Sequence, residues 1–139
     1  MWNRQDEPQF HAAARRDEAI VIMAPLLSGV MTGRWDLSNA DEFRKKYAGH
    51  WWFKEHDMDK TLQAMDCMRK RFGDSQQGFL SAILRYCLGL PGVVSVLPGF
   101  STLEQVESLA AAVDAPPLSA EEMAFIRETL REDLTLLKR

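Results

Sequence analysis

The sequence predicts a helix-rich α/β domain with two or three short parallel strands and about five helices, and two observations carry that class. Two β-branched apolar runs, Ile20-Val21-Ile22-Met23-Ala24 and Val93-Val94-Ser95-Val96-Leu97, are each closed by a proline, Pro25 and Pro98. Continuous apolar runs of that length suit strands buried on both faces, the setting of a parallel sheet covered by helices. Most of the remaining chain repeats its apolar residues every three or four positions, the helical period. At 139 residues with 46% hydrophobic content, the chain has the size and the apolar supply of one domain spanning 1–139. The same length falls short of a closed eight-stranded β/α barrel, which takes roughly 200 residues or more.

The elements follow in order. Met1–Asp6 is polar after Trp2 and makes at most a stub of strand. Pro8 suits a first helical position, and Phe10, Ala13 and Ala14 draw a narrow stripe through a helix ending near Asp17 or Glu18. The first apolar run then gives a strand. From 26 to 57 the periodicity fades into a long aromatic-rich loop, with one helical turn around Asp41–Tyr47 and three of the four tryptophans. Leu62, Met65, Met68 and Phe72 restore helical spacing over Met58–Phe72, which Gly73 stops. Asp74 with Gln77 reads as a capping box for a helix whose stripe, Phe79, Ile83, Cys87 and Leu90, puts Cys87 in the core. The second strand follows Pro91-Gly92, and Ser101 with Glu104 opens a helix to about Val113. After Pro116-Pro117, Ser119 and Glu122 cap a last helix carrying Met123, Ile126, Leu130, Leu134 and Leu137 on one stripe.

Composition narrows the function. Seventeen Lys and Arg against twenty Asp and Glu give a net charge of −3, which argues against nucleic acid or an anionic membrane as partner. Cys67 and Cys87, twenty residues apart on helical patterns, make neither a metal knuckle nor a disulfide framework. The longest apolar stretch, Ala19 to Leu27, is too short to span a bilayer and contains Pro25. No basic head precedes an apolar run near the N-terminus, so a cytoplasmic location is expected.

The densest chemistry lies in His50-Trp51-Trp52-Phe53-Lys54-Glu55-His56-Asp57. Two imidazoles and two carboxylates among aromatic rings are the ingredients of an apolar pocket whose acid/base groups burial tunes toward neutrality. His50, His56, Glu55 and Asp57 are therefore the candidate proton carriers, with Tyr47 a phenolic donor and Arg34 an anion clamp beside them. The same segment also reads as a loop anchored by tryptophans over the core with its charges solvated, since aromatic residues are first of all large hydrophobic groups. No metal site is expected, because His50 and His56 are six apart and His11 is remote. Cys67, between Asp66 and Arg69, lacks the electropositive setting of a nucleophile, and Arg69-Lys70-Arg71 reads as the solvated end of a helix.

Two segments in order resemble a known family. Pro25-Leu26-Leu27-Ser28-Gly29-Val30-Met31-Thr32-Gly33-Arg34 is similar to the loop after the seventh strand of aldo-keto reductases. Pro91-Gly92-Val93-Val94-Ser95-Val96-Leu97-Pro98-Gly99, then Glu104-Gln105-Val106-Glu107 and Leu118-Ser119-Ala120-Glu121-Glu122, resembles that family's eighth strand, cofactor-facing helix and closing segment. Trp2-Asn3 looks like the end of its sixth strand. The resemblance covers the whole chain but only the C-terminal part of the family's barrel, which implies a partial, incomplete TIM-barrel-like fold. The family's aspartate, tyrosine, lysine and histidine tetrad lies in the N-terminal half, upstream of anything here.

What the resemblance implies for the cofactor is weakened at several positions. Met23 stands where an aromatic residue stacks on nicotinamide in the family, and Ser101 and Leu109 stand where Arg and Asn are common. Losing that Arg removes a bidentate phosphate fork. Gly99, Ser101 and Gln105 keep the generic part, backbone N–H groups at a helix N-terminus and one retained amide. The expectation is no cofactor, with weakened NADP binding as the alternative. Open edges on a short parallel sheet invite pairing, so a homodimer or a complementing half-barrel is expected. The expected function is then cofactor-independent acid/base work on a small carbonyl-type metabolite (isomerisation, cyclisation or elimination), with a role as an NADP-linked oxidoreductase half or non-catalytic binding subunit that needs a partner chain as the alternative.

Overall fold

In the computed structural model, residues 7–54, 56–73 and 75–130 are described. The elements run α1 (Glu7–Arg15), β1 (Ile20–Met23), α2 (Ala40–Tyr47), α3 (Met58–Phe72), α4 (Gln76–Leu88), β2 (Val93–Leu97), α5 (Leu103–Val113) and α6 (Ala120–Thr129). Short 3-10 turns at Leu27–Gly29, Leu37–Asn39 and Trp51–Lys54 stud the connection between β1 and α3. The strands pair in parallel, with Val21 beside Ser95, Ile22 beside Val96 and Met23 beside Leu97, and the register shifts between Ile20 and Val21. The expected strand stub at Trp2-Asn3 lies outside the described residues.

Helices dominate the core. Phe43 from α2, Leu62, Met65 and Met68 from α3, Phe79 and Ile83 from α4, and Ile126 from α6 are fully buried together with Val30 and Met31. Cys87 is buried with them, and burial pushes its thiol pKa up to about 12, which leaves it inert as a nucleophile. The strands sit at the margin of this core, and the expectation that both their faces are buried is corrected. Ile22 and its register partner Val96 face the helices, but Val21 is 48% and Met23 76% exposed. A parallel sheet buries both faces only when helices lie on both, and among the described residues they lie on one.

The 26–57 segment carries more structure than the expected single helical turn. α2 is a two-turn helix and makes a sixth α-helix where about five were expected. Its period is faint because only Phe43 and Tyr47 are buried, one pair four residues apart. Asp36 begins this stretch with a capping box: its carboxylate accepts from the Ser38 N–H while Asn39 Oδ1 accepts from the Asp36 N–H.

The helix starts shift by one residue in two places. Ser75 caps α4 by accepting from the Gly78 N–H, and Asp74 lies outside the described residues. Thr102 rather than Ser101 caps α5. Ser119 and Glu122 form the expected capping box on α6. That helix closes with Ile126 and Leu130 buried, while Leu134 and Leu137 lie outside the described residues.

Two ties fasten the loop after β1 to the helical core. Arg69, expected on a solvated face, is half-buried and donates from Nη1 to the Gly33 carbonyl at 2.8 Å, with Asp36 at 3.5 Å. Gly33 holds φ +74°, and a Cβ there would meet Phe79 Cβ at 2.6 Å. Gly33→Ala therefore meets both a left-handed backbone and an immovable core ring, and the expected loss is about 2 kcal/mol or more, read as a fall in the urea midpoint. Gly49→Ala, where nothing lies within 4 Å of the added carbon, is the control and should shift stability by no more than about 0.5 kcal/mol.

Candidate functional site

The aromatic residues of the 26–57 segment fold into one cluster. Trp35 meets Phe43 edge-on with ring centroids 5.6 Å apart and Tyr47 at 5.7 Å, Phe43 meets Phe53 at 5.4 Å, and Tyr47 meets His50 at 5.7 Å. Arg34 lies over the Trp35 ring at 5.0 Å, so its guanidinium is engaged with an indole. Trp35 Nε1 and Thr32 Oγ1 both donate to the Gly29 carbonyl, at 3.1 and 3.0 Å. Tyr47 donates its hydroxyl to the Ser28 carbonyl at 3.3 Å, and burial pushes its phenol pKa above the ordinary value. These groups brace the turn after β1 from inside the cluster.

The other candidate proton carriers have local partners of their own. The half-buried His50 accepts the Trp52 N–H on Nδ1 at 3.3 Å and so closes the start of the 3-10 turn. His56 stacks flat on Trp52, 3.4 Å between ring centroids and 12° between planes, with Nδ1 2.9 Å from the Trp52 carbonyl. A carbonyl only accepts, so that bond places a proton on His56 Nδ1. Asp57 is the N-cap of α3 and accepts from the N–H groups of Asp59 and Lys60 at 2.8 and 3.0 Å. Glu55 lies outside the described residues. The structure thus gathers Tyr47 and His50 with Phe53 on one side of the segment and stacks His56 on Trp52, while Asp57 is committed to the helix it starts.

Gly99, Ser101 and Gln105 do come together at the start of α5. Gln105 Oε1 accepts the Ser101 N–H at 2.7 Å, and Thr102 Oγ1 accepts the Gln105 N–H at 3.3 Å. Glu104 stands in the same first turn, and a hydrogen bond from the Thr102 hydroxyl holds its carboxyl below the ordinary carboxylate range. From Gly99 to Val113 the chain has no Lys or Arg. The Ser101 and Gln105 amides are thus taken by the chain's own side chains and the charge in the first turn is negative, both of which oppose a phosphate.

One feature escapes sequence reasoning. Between β2 and α5 runs an apolar groove of about 490 Å³, bordered by Val94, Leu97, Phe100, Val106, Leu109 and Val113. Its sequence signal is the apolar side of α5, Val106, Leu109 and Val113, which reads as ordinary core until the neighbouring strand is seen to leave it open. Among the described residues no helix is long and apolar enough to cross a membrane.

The fold has solved counterparts. The aldo-keto reductase AKR11C1 from Bacillus halodurans matches in its apo form with a TM-score of 0.63 at 23% identity, over 92% of this chain and 40% of that one. Its holo form matches with the same score and identity over 91% and 38%. The chain thus spans about two fifths of the length of these relatives. No curated protein sequence matches. The sequence model of the Aldo/keto reductase family matches residues 1–131, nearly the full length, and this chain belongs to that family.

Proposed function

We propose that this chain is an aldo-keto reductase-fold portion that acts as a non-catalytic binding subunit and performs no nicotinamide chemistry by itself. The start of α5 carries this reading: the Ser101 and Gln105 amides are satisfied internally, its first-turn charge is Glu104, and the stretch from Gly99 to Val113 has no Lys or Arg to meet a phosphate. Tyr47 and Asp57 support it, since a phenol buried against a backbone carbonyl and a carboxylate locked as a helix cap are positioned to hold structure. Its binding surface is apolar and suits another polypeptide, as a homodimer or with a complementing half-barrel. Calorimetric titration of the purified chain with NADPH and with NADP is expected to give no saturable heat. A dissociation constant tighter than about 10 µM, roughly −7 kcal/mol, would overturn the reading.

A second reading is favoured by one observation: two imidazoles, His50 and His56, pack onto the tryptophan pair, beside a Trp51 that is 62% exposed. There the chain would do cofactor-independent acid/base work on a small carbonyl-type metabolite, one imidazole removing the proton from the carbon next to the carbonyl and solvent returning it. Proton NMR of small hydroxy-ketones in D2O tests this directly. Deuterium should enter that carbon with the natural chain and not with the His50→Ala, His56→Ala double variant; no exchange by the natural chain, or equal exchange by both, ends this reading.

A further inference from the structure

We infer that α5 docks a basic amphipathic helix of a partner protein, a contact that rests on the binding-subunit reading and gives that partner its chemistry. α5 packs chiefly on α4, and only Ala112 of it is buried. The α4 side is fixed by Gln77 Nε2, which donates to the Ser108 carbonyl, and by Ser81 Oγ, which donates to the Ala112 carbonyl. Away from that side Leu103, Val106, Ala110 and Val113 follow at spacings of three, four and three, the seam along which one helix packs on another. The seam is open: Leu103 is 69%, Val113 41% and Val106 37% exposed. Val106 and Val113 also wall the groove beside β2, whose lining carries no charged residue.

Charge selects the occupant among the polypeptides that an apolar seam would accept. From Tyr86 to Ile126 the chain has no Lys or Arg and five carboxylates, Glu104, Glu107, Asp114, Glu121 and Glu122. All seventeen Lys and Arg fall in the rest of the chain, with fifteen of the Asp and Glu. Glu121 is engaged with Arg71, and Glu122 accepts the Ser119 N–H. Glu104, Glu107 and Asp114 are exposed and make no ion pair among the described residues. On the helical period Glu107 and Asp114, seven residues apart, line up beside Leu103 and Ala110, with Glu104 a turn before them.

An acidic margin along an apolar seam attracts Lys and Arg that flank a partner's own seam. The same margin repels an acidic peptide, the phosphates of a nucleic acid and an anionic bilayer. A second copy would bring three more carboxylates and no cation to the contact through its own α5. The partner that matches both the spacing and the sign is therefore a helix with apolar residues every three or four positions and cations beside them, laid along α5 as helix-in-groove ligands are.

Fluorescence anisotropy of the full chain tests this with a labelled helical peptide of leucine and lysine in heptad spacing, about fourteen residues long. Saturable binding is expected with a dissociation constant of about 10 µM in about 50 mM salt, weakened about tenfold in about 500 mM. The same peptide with glutamate in place of lysine should not bind. Glu107→Lys with Asp114→Lys should weaken the lysine peptide about tenfold or more through charge, and Leu103→Ser with Val106→Ser should do so through the seam. Glu42→Lys, which reverses an exposed charge on α2, should leave the affinity unchanged, and circular dichroism shows that each variant is folded. No saturable binding, equal binding of the glutamate peptide, an affinity that either pair of substitutions leaves in place, or an equal loss in Glu42→Lys overturns the inference. A sedimentation mass of twice 15.8 kDa that the lysine peptide does not break also overturns it, since a second copy then holds the seam. The NADPH titration does not sense the peptide, and the peptide does not report on nicotinamide binding, so this inference and the binding-subunit reading fail separately.

Discussion

The turn after β1 is the constraint on which the rest of the molecule depends. Leu27, Ser28 and Gly29 stand in succession at φ 47°, 54° and 91°, and Ala24 just before them is at 50°. Non-glycine residues in that region carry about 1–3 kcal/mol of strain each and persist only where the surroundings over-determine them. Here the surroundings are the aromatic cluster. The Gly29 carbonyl is held by Trp35 and Thr32, the Ser28 carbonyl by Tyr47, and Arg69 and Gly33 pin the far end of the loop onto α3 and α4. The rings are needed at these places because a turn with several residues in the left-handed region has to be held by its surroundings before it has one conformation.

That requirement decides which groups remain for chemistry. A tyrosine whose hydroxyl fixes a strained carbonyl cannot also be a mobile acid without releasing the turn, and an aspartate whose oxygen accepts two helix N–H groups is committed to the cap. It also decides where the core lies. With the loop, α2, α3, α4 and α6 all buried against one another, the apolar volume is filled by helices, and among the described residues the two strands receive cover on the Ile22 and Val96 side only. Exposed β-branched and methionine side chains on the other side are what a parallel sheet shows when its layering is half complete.

Much of this was legible from residues alone, and the failures have physical causes. Both strands announce themselves because uninterrupted β-branched runs ended by proline have few alternatives, and Ser119 with Glu122 is a reciprocal cap whose two bonds need no tertiary help. α2 was nearly invisible because a short, charged helix holding two buried rings has no stripe to read. The α5 cap slipped from Ser101 to Thr102 because adjacent hydroxyls satisfy the same rule, and only the fold chooses between them. The aromatic segment looked chemical because it concentrates ionisable groups. An aspartate directly before a helical period is also the ordinary signature of an N-cap, and Asp57 followed that rule. Arg69 was misjudged because its neighbours Lys70 and Arg71 do face outward, while a carbonyl 36 residues away in sequence was out of sight.

The start of α5 shows how a helix N-terminus can be satisfied from within. A helix N-terminus attracts anions through unpaired amides and its partial positive charge, and both can be supplied from within. Gln105 turns its carbonyl oxygen back to the Ser101 amide, Thr102 takes the Gln105 amide, and Glu104 brings a full negative charge into the first turn. Each step removes attraction for an external phosphate while stabilising the helix. Two apolar side chains at that end stand in solvent, Phe100 62% and Leu103 69% exposed. The glycine turn and the helix after it therefore keep the family's shape, while the surface beside them runs apolar and without a charged lining residue between α5 and β2.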